Sequence, residues 1–161
     1  MRVYILRHGV ADEPRPGLPD KDRQLTKEGR KGLERVLKSA CDAGVRPALV
    51  LSSPLARAIQ TAEMAIELLG CEKPMVKTKA LAPGSNPAGI WVEIRSHKDE
   101  SAILLAGHEP LLSATAGFLL GTPALQIDLK KGALIRIDLH SEPPQPRGVL
   151  VWLITPKLAC A

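Results

Sequence analysis

The sequence predicts an α/β protein with three layers, in which a mostly parallel central sheet carries helices on both faces. Short apolar runs alternate along the chain with segments of helical periodicity, the pattern of this fold class. One run, at positions 102–106, is entirely apolar, which is typical of a strand buried on both sides. Another, Val3–Leu6, stops abruptly at Arg7-His8-Gly9. The 161 residues suit a single domain spanning 1–161.

The first half of the chain alternates two predicted strands with two predicted helices. The strands cover positions 2–6 and 48–51, and a proline-rich loop covers 12–22. We expect the first helix to start at Thr26 and to end near Gly44. For the second helix, Ser53 is the expected cap, Pro54 the first helical residue and Gly70 the stop.

The second half begins with a short edge strand at 75–78 and a helix starting at Asn86-Pro87. The apolar strand at 102–106 leads to a helix over 110–120. Two strands at 134–139 and 149–154 follow, joined by a proline-rich turn that includes Pro143. Because this connection is short, we expect the last two strands to be an antiparallel addition to the sheet.

Composition excludes several classes of protein. Aromatic residues are only 2% of the chain, which leaves little stacking surface for single-stranded nucleic acid. The net charge of +5 is scattered and fits an anionic substrate or partner. No apolar stretch approaches a membrane span and no signal peptide is evident, so we expect no membrane association. Cys41, Cys71 and Cys160 lack metal-ligand or CxxC spacing, and we interpret them as reduced thiols of a cytoplasmic protein.

Three predicted strands end in polar residues of the same chemical kind. The first strand ends in Arg7-His8, and the third buried strand ends in Gly107-His108. The strand at 48–51 ends in Ser52-Ser53-Pro54, with Arg57 one turn into the next helix. Since parallel strands bring their carboxyl ends to one edge of a sheet, we expect the two histidines and two arginines to converge.

These residue types together indicate phosphoryl chemistry. The planar guanidinium groups of Arg7 and Arg57 match phosphate oxygens and neutralise their charge. His8 is the predicted nucleophile, since nearby cations keep an imidazole neutral and its lone pair available. His108 is a predicted phosphate ligand. Attack by His8 would form a phosphohistidine intermediate. We expect no metal and no cofactor, because no carboxylate cluster accompanies the histidines.

The chain resembles the histidine phosphatase (phosphoglycerate mutase-like) superfamily. The resemblance rests on Arg7-His8-Gly9, on Arg23-x-Leu25-Thr26-x-x-Gly29, on Ser52-Ser53-Pro54-x-x-Arg57-x-x-x-Thr61 and on Gly107-His108. Its short length, Leu81-x-Pro83-Gly84 and Gly107-His108-Glu109-Pro110 are similar to the small SixA-type phosphohistidine phosphatases. The resemblance implies that His8 is the nucleophile and that Arg7, Arg57 and His108 surround the phosphate. Arg23 either joins this pocket or forms a salt bridge within its loop.

One departure from the family pattern bears on the substrate. Larger members carry an acidic proton donor after the second helix, but positions 78–87 contain no acid. Glu93 lies beyond that segment and is expected to be solvated, while Asp12, Glu13 and Glu109 are possible substitutes. An alcohol leaving group needs a proton donor, whereas neutral imidazole is a far weaker base, with a conjugate-acid pKa of about 6.5. The missing acid therefore favours phosphohistidine as the substrate.

Several functions remain open at this stage. The first is dephosphorylation of a protein phosphohistidine, carried by a phosphorelay domain or a phosphocarrier. The second is hydrolysis of small phosphate esters, or a mutase reaction. The third is a non-catalytic module that binds phosphorylated ligands, against which the intact His8 argues. Nucleic-acid binding is the weakest reading, and the sequence does not define an oligomeric state.

Overall fold

The computed structural model describes residues 1–141 and 144–159, which form six strands and four α-helices. Pro143 and Cys160 lie outside the described residues. In chain order the elements are β1 (Arg2–Arg7), α1 (Lys27–Asp42), β2 (Leu49–Ser52), α2 (Ala56–Leu69), β3 (Val76–Lys77), α3 (Pro87–Ser96), β4 (Ala102–Gly107), α4 (Leu111–Leu119), β5 (Leu134–Ser141) and β6 (Arg147–Ile154). Short 3-10 helices cover Asp20–Asp22 and Lys79–Leu81.

The strands form one sheet in the order β3-β2-β4-β1-β5-β6. β1, β2, β3 and β4 run parallel to one another, while β5 pairs antiparallel with β1 and β6 antiparallel with β5. This confirms the predicted α/β class and the antiparallel addition. β1 and β4 lie side by side in the middle of the sheet, so their ends define its central crevice.

The central strands are apolar along their buried length because helices cover both of their faces. Val3 and Ile5 of β1 pack into a core with residues of α3 and α4, and the alternate residues Tyr4 and Leu6 pack into a core with α1 and α2. All four side chains are 1% exposed or less. The three layers are thus held by two separate hydrophobic cores.

Helix starts follow the predicted caps at two of three positions. Thr26 Oγ1 accepts the Gly29 N–H at 3.0 Å to cap α1, and Asn86 caps α3 with Pro87 at its first position. The predicted start of α2 at Pro54 is wrong, because the helix begins at Ala56. The reason is local: Ser53 Oγ accepts the Leu55 N–H at 3.3 Å, which closes a turn before the helix begins.

None of the helices among the described residues is long and apolar enough to cross a membrane. Cys41 is half-buried on α1, and Cys71 is buried just after α2. Both are free cysteines.

Candidate active site

The two central strands deliver both predicted histidines to one point. Arg7 of β1 is in register with Gly107 of β4, and the next residue on each strand is a histidine. The His8 N–H donates to the Gly107 carbonyl at 3.0 Å, which continues the ladder past the end of the strands. The His8 and His108 rings lie 5.1 Å apart, centre to centre. The predicted convergence of the histidines is therefore what the topology produces.

β2 and α2 complete the cluster from the other side of β4. The Ser53 N–H donates to the Ala106 carbonyl at 3.0 Å, so the turn after β2 is fixed against the end of β4. Ser53 Oγ lies 2.7 Å from Nε2 of His108. Arg57 stands in the first turn of α2 and is only 5% exposed, and its positive charge acts on both His8 and His108.

His8 has the protonation state and tautomer of a nucleophile. Its Nδ1 lies 2.7 Å from the Gly9 carbonyl, which can only accept, so Nδ1 carries the proton and Nε2 carries the lone pair. The pKa of His8 is lowered to about 4, mainly by burial and in smaller part by the cations Arg57, Arg7 and Lys131. The hydrogen bond to Gly9 opposes this shift in part. His8 is consequently neutral at physiological pH. The sequence predicted the effect of the cations on this pKa. The larger effect, burial of the ring, follows only from the complete fold.

His108 is also neutral. Its pKa is lowered to about 3, mainly by burial, and the positive charge of Arg57 contributes to the lowering. The Ser53 hydroxyl already accepts the Leu55 N–H, so its own hydrogen is available for Nε2 of His108. This pairing places the remaining ring proton on Nδ1 of His108. The ring then acts on an anion as a neutral hydrogen-bond donor, and it does not need to be charged.

The cluster holds buried donors that have no protein partner. Among the described residues, four buried side-chain nitrogen or oxygen atoms lack a hydrogen bond: Arg7 Nε, Arg57 Nε, His108 Nδ1 and Trp91 Nε1. Three of the four belong to the predicted site. A buried donor without an acceptor costs about 1–3 kcal/mol, so three at one site indicate a binding place for a group rich in acceptor oxygens.

Asp20 links Arg23 to Arg57 and was not singled out from the sequence. Its Oδ1 lies 2.8 Å from Nη2 of Arg23, and its Oδ2 lies 3.2 Å from Nη2 of Arg57. Arg23 therefore forms a salt bridge within its loop, also donates to the Asp12 carbonyl at 2.9 Å, and reaches the cluster through Asp20. The hydrogen bond from Arg23 and the charge of Arg57 lower the pKa of Asp20, which stays ionised.

The segment before β5 contributes two further groups. Arg7 Nη1 donates to the Leu129 carbonyl at 2.7 Å, which fixes the guanidinium beside the end of β1. Lys131 is exposed, and its charge acts on His8. The sequence held a signal for both, since the start of an antiparallel strand next to β1 lies at the same edge of the sheet as the end of β1.

Gly9 allows close packing directly behind His8. A Cβ at this position would lie 2.7 Å from Cδ1 of Leu33 and 3.1 Å from the Gly29 carbonyl. The Gly9 N–H lies 3.3 Å from Oγ1 of Thr61, which itself donates to the Arg57 carbonyl at 2.8 Å. Thr61 therefore ties the loop after β1 to the helix that carries Arg57.

Gly29 serves the same loop from the opposite side. A Cβ on Gly29 would lie 2.1 Å from the Val10 carbonyl oxygen, so only glycine lets α1 approach the chain this closely. The Thr26 N–H donates to the same carbonyl at 2.9 Å. The motif residues Thr26 and Gly29 thus support the site without facing it.

Two of the four candidate proton donors, Glu93 and Glu109, form other hydrogen bonds. Glu93 is half-buried, not solvated as expected, because it accepts a hydrogen bond from Thr78 at 3.0 Å and pairs with His97 at 3.4 Å. Glu109 accepts the Ser113 N–H at 2.7 Å at the start of α4. Asp12 is half-buried and Glu13 exposed in the loop after β1. In the part of the chain that the structure describes, no group of three or more His, Cys, Asp or Glu side chains could hold a metal ion.

Comparisons with known proteins agree with this geometry. A protein of Picosynechococcus sp. (strain ATCC 27264 / PCC 7002 / PR-6), itself uncharacterised, is 33% identical over 153 residues, which cover 88% of this chain and 92% of the relative. The structure of SixA from Agrobacterium tumefaciens matches with a TM-score of 0.82 and 26% identity, covering 96% and 97% of the two chains.

Two further structures share the fold. The protein histidine phosphatase SixA, complexed with tungstate, matches with a TM-score of 0.85 and 24% identity over 98% of each chain. A mycobacterial glucosyl-3-phosphoglycerate phosphatase matches with a TM-score of 0.68 and 19% identity, covering 92% and 96%. The profile of the histidine phosphatase superfamily (branch 1) matches residues 3–82, the segment that holds Arg7, His8 and Arg57. The chain therefore belongs to the histidine phosphatase superfamily, and its family and fold together make it a phosphatase.

Proposed function

We propose that this chain removes the phosphoryl group from phosphohistidine side chains of a partner protein, through a covalent intermediate on His8 and without a metal ion. The observation that carries the proposal is the 5.1 Å approach of the His8 and His108 rings beside Arg7 and Arg57, each of which has a buried Nε without a partner. The phosphorylated partner is a phosphorelay domain or a phosphocarrier. The compartment we propose is the cytoplasm.

The first step transfers the phosphoryl group to the enzyme. The lone pair on Nε2 of His8 attacks phosphorus as the bond from phosphorus to the substrate nitrogen breaks. If the substrate ring carries a proton on its other nitrogen, it departs as neutral imidazole with its bonding electron pair. Arg7, Arg57 and the Nδ1–H of His108 bind the phosphoryl oxygens, whose charge they stabilise in the transition state.

The Gly9 carbonyl stabilises the His8 ring in this step. As Nε2 forms its bond to phosphorus, positive charge develops on the His8 ring, and the Nδ1–H bond to the Gly9 carbonyl becomes stronger. The carbonyl therefore holds the tautomer before attack and stabilises the ring after it. No proton has to leave His8 during the transfer.

The second step regenerates the enzyme. Water attacks phosphorus, the bond to Nε2 breaks and Nε2 keeps the electron pair. The protons of the water remain on the released dihydrogen phosphate. Neutral imidazole is the leaving group in both steps, so neither step requires a carboxylic acid.

A second candidate is a phosphatase for small phosphate esters. The fold shared with a glucosyl-3-phosphoglycerate phosphatase favours this possibility. An alkyl ester, however, needs a proton on its leaving oxygen, and the carboxylate nearest to Arg57 is Asp20, which is held ionised by two arginines. The substrate comparison below separates the two candidates.

The test is dephosphorylation of a panel of phosphohistidine proteins beside sugar phosphates and an aryl phosphate. The proposal expects the phosphohistidine proteins to be the faster substrates by k_cat/K_M, with the sugar phosphates close to background. A crystal soaked in tungstate should place the oxyanion within hydrogen-bond distance of Arg7, Arg57 and His108. Rapid hydrolysis of sugar phosphates, with inert phosphohistidine proteins, would move the second candidate ahead.

A further inference from the structure

We propose a second ligand site at the opposite edge of the sheet from His8, which takes a small organic acid with one anionic group on a compact apolar body. The site is a cavity of about 270 Å³ beneath the end of α3. Its lining includes Trp91, Ile94, Arg95, Lys98, Leu139 and His140. It does not depend on the proposed phosphatase activity.

The position of the cavity separates it from the candidate active site. Leu139 and His140 belong to β5 opposite the start of β1, whereas His8 follows the end of β1. Five residue steps of β1 span roughly 17 Å. A ligand in this cavity is therefore distinct from a phosphoryl group at His8.

The lining of the cavity is partly polar and partly apolar. Trp91, Ile94 and Leu139 form its apolar part, and each is 8% exposed or less. Nε1 of Trp91 is a buried donor without a hydrogen-bond partner. Among the described residues, it is the one such donor outside the cluster of Arg7, Arg57 and His108. The apolar part suits a ring or a branched aliphatic group, and the volume lies just below the usual range for sites of small ligands.

The rim of the cavity is cationic and unpaired. Within the described ranges, no carboxylate lies at ion-pair distance from Arg95, Lys98 or His140. Arg95 lies in the last turn of α3, and Lys98 lies in the turn that follows, where its N–H donates to the Arg95 carbonyl at 3.3 Å. One anionic group can therefore reach both side chains.

Lys98 and His140 also border a neighbouring cleft, in which two of three carboxylates are paired with other cations. Glu100 is paired with Lys73, and Asp138 is paired with Arg136 at 2.8 Å. Asp99 borders that cleft and is not part of the cavity lining. The cationic rim can bind the anionic group of an organic acid, and the apolar side chains can bind its apolar body. A neutral molecule lacks the first interaction, and a free inorganic anion lacks the second.

Fluorescence of Trp91 tests the proposal. Trp152→Phe leaves Trp91 as the single tryptophan, and iodine in contact with an indole quenches its emission. Titration with 4-iodobenzoate should quench saturably, while the uncharged 4-iodobenzamide should bind at least about fivefold more weakly. Inorganic phosphate alone should not protect Trp91 from the probe.

Charge variants in the Trp152→Phe background test whether the cationic rim binds the anionic group of the probe. Arg95→Gln and Lys98→Gln should each weaken 4-iodobenzoate about threefold or more and leave 4-iodobenzamide unchanged. Lys38→Gln, which removes an exposed lysine paired with Glu34 on α1, is the matched control and should change neither. These residues are exposed, so the variants are expected to fold.

A crystal soaked in 4-iodobenzoate locates the probe by the anomalous signal of iodine. The proposal expects iodine between Trp91 and Leu139. Equal, non-saturating quenching by the acid and the amide would overturn the proposal, as would iodine found only at His8 or on the exposed face of β6.

Discussion

Asp20 and Arg57 form an ion pair across the mouth of the candidate active site, with Oδ2 of Asp20 3.2 Å from Nη2 of Arg57. The pair is asymmetric, since the side chain of Arg57 is 6% exposed and that of Asp20 is 61% exposed. Arg57 also donates to the Asp20 carbonyl at 2.9 Å. Arg57, which we propose to bind phosphate, is thus paired with the exposed carboxylate of Asp20. An oxyanion bound to Arg57 would face this negative charge.

Asp20→Asn should tighten the binding of oxyanions. The substitution removes a negative charge that repels the oxyanion, and exposed charge interactions contribute about 0.2–1 kcal/mol, so the affinity for tungstate should rise up to about fivefold. Asp22→Asn, on the same 3-10 helix, is the matched control, and calorimetric titration measures both. Weaker binding by Asp20→Asn would show that Asp20 instead positions Arg57.

His8→Ala should abolish turnover and keep the oxyanion site. Removal of the nucleophile should lower k_cat by about a thousandfold or more, as loss of a covalent catalyst does in other enzymes. Tungstate binding should stay measurable because Arg7, Arg57 and His108 remain. Acid-sensitive radiolabel should be trapped on His8 of the wild-type enzyme during turnover. Label on another residue, or activity in the variant, would contradict the assignment.

Much of the fold was predictable because its signals are local. Apolar runs long enough for one strand, and the capping residues Thr26 and Asn86, identify the elements. The parallel order then brings His8 and His108 together with no further information. The predicted start of α2 is wrong because the Ser53 side chain has two other partners. These are Leu55 in its own turn and His108, which follows β4.

The rest of the site depends on contacts distant in sequence, which periodicity does not encode. Asp20 reaches Arg57 across 37 positions, and Leu129 reaches Arg7 across 122. The low pKa of His8 follows mainly from burial, which depends on the complete packing around the strand end. Glu93 was expected to be solvated because its helical position does not reveal the hydrogen bond from Thr78.

The histidines should make stability depend on pH below neutrality. The folded-state pKa is about 4 for His8 and about 3 for His108, against 6.5 when unfolded. Between these values the unfolded chain binds more protons, so the free energy of unfolding falls as the pH drops from about 6.5 towards 4. The limiting slope is about 1.4 kcal/mol per pH unit for each histidine.

Denaturant unfolding at several pH values measures this slope. His8→Asn and His108→Asn should each reduce it, because each removes one histidine whose pKa is lowered by burial. An unchanged slope in both cluster variants would mean that neither ring is held neutral by burial. Bound tungstate should also reduce the slope, because an anion favours the protonated rings.

Activity should not require a divalent metal. Arg7 and Arg57 supply the positive charge that metal ions supply in other phosphatases. Dialysis against EDTA should leave k_cat and K_M unchanged. A large loss of activity that added Mg²⁺, Mn²⁺ or Zn²⁺ restores would contradict the proposed mechanism.

The rate should depend steeply on the pKa of the leaving group. Asp20, the carboxylate paired with Arg57, is kept ionised by its arginines, so it has no proton to give. An alkyl oxygen must then depart without a proton. Imidazole and phenolate are weaker bases than an alkoxide and depart more readily. Across a series of aryl and alkyl phosphates, log k_cat/K_M should fall as the leaving-group pKa rises, and sugar phosphates should react very slowly.

A flat dependence with rapid hydrolysis of sugar phosphates would instead require a general acid. Glu109 is then the first residue to test, because it directly follows His108, and Glu13 is the second. Glu109→Gln keeps an acceptor for the Ser113 N–H and so preserves the start of α4. If Glu109 is the acid, this variant should slow alkyl esters strongly and aryl esters little, since only the alkyl leaving group needs its proton. If Glu109 serves only as a helix cap, both classes of ester should keep their wild-type rates.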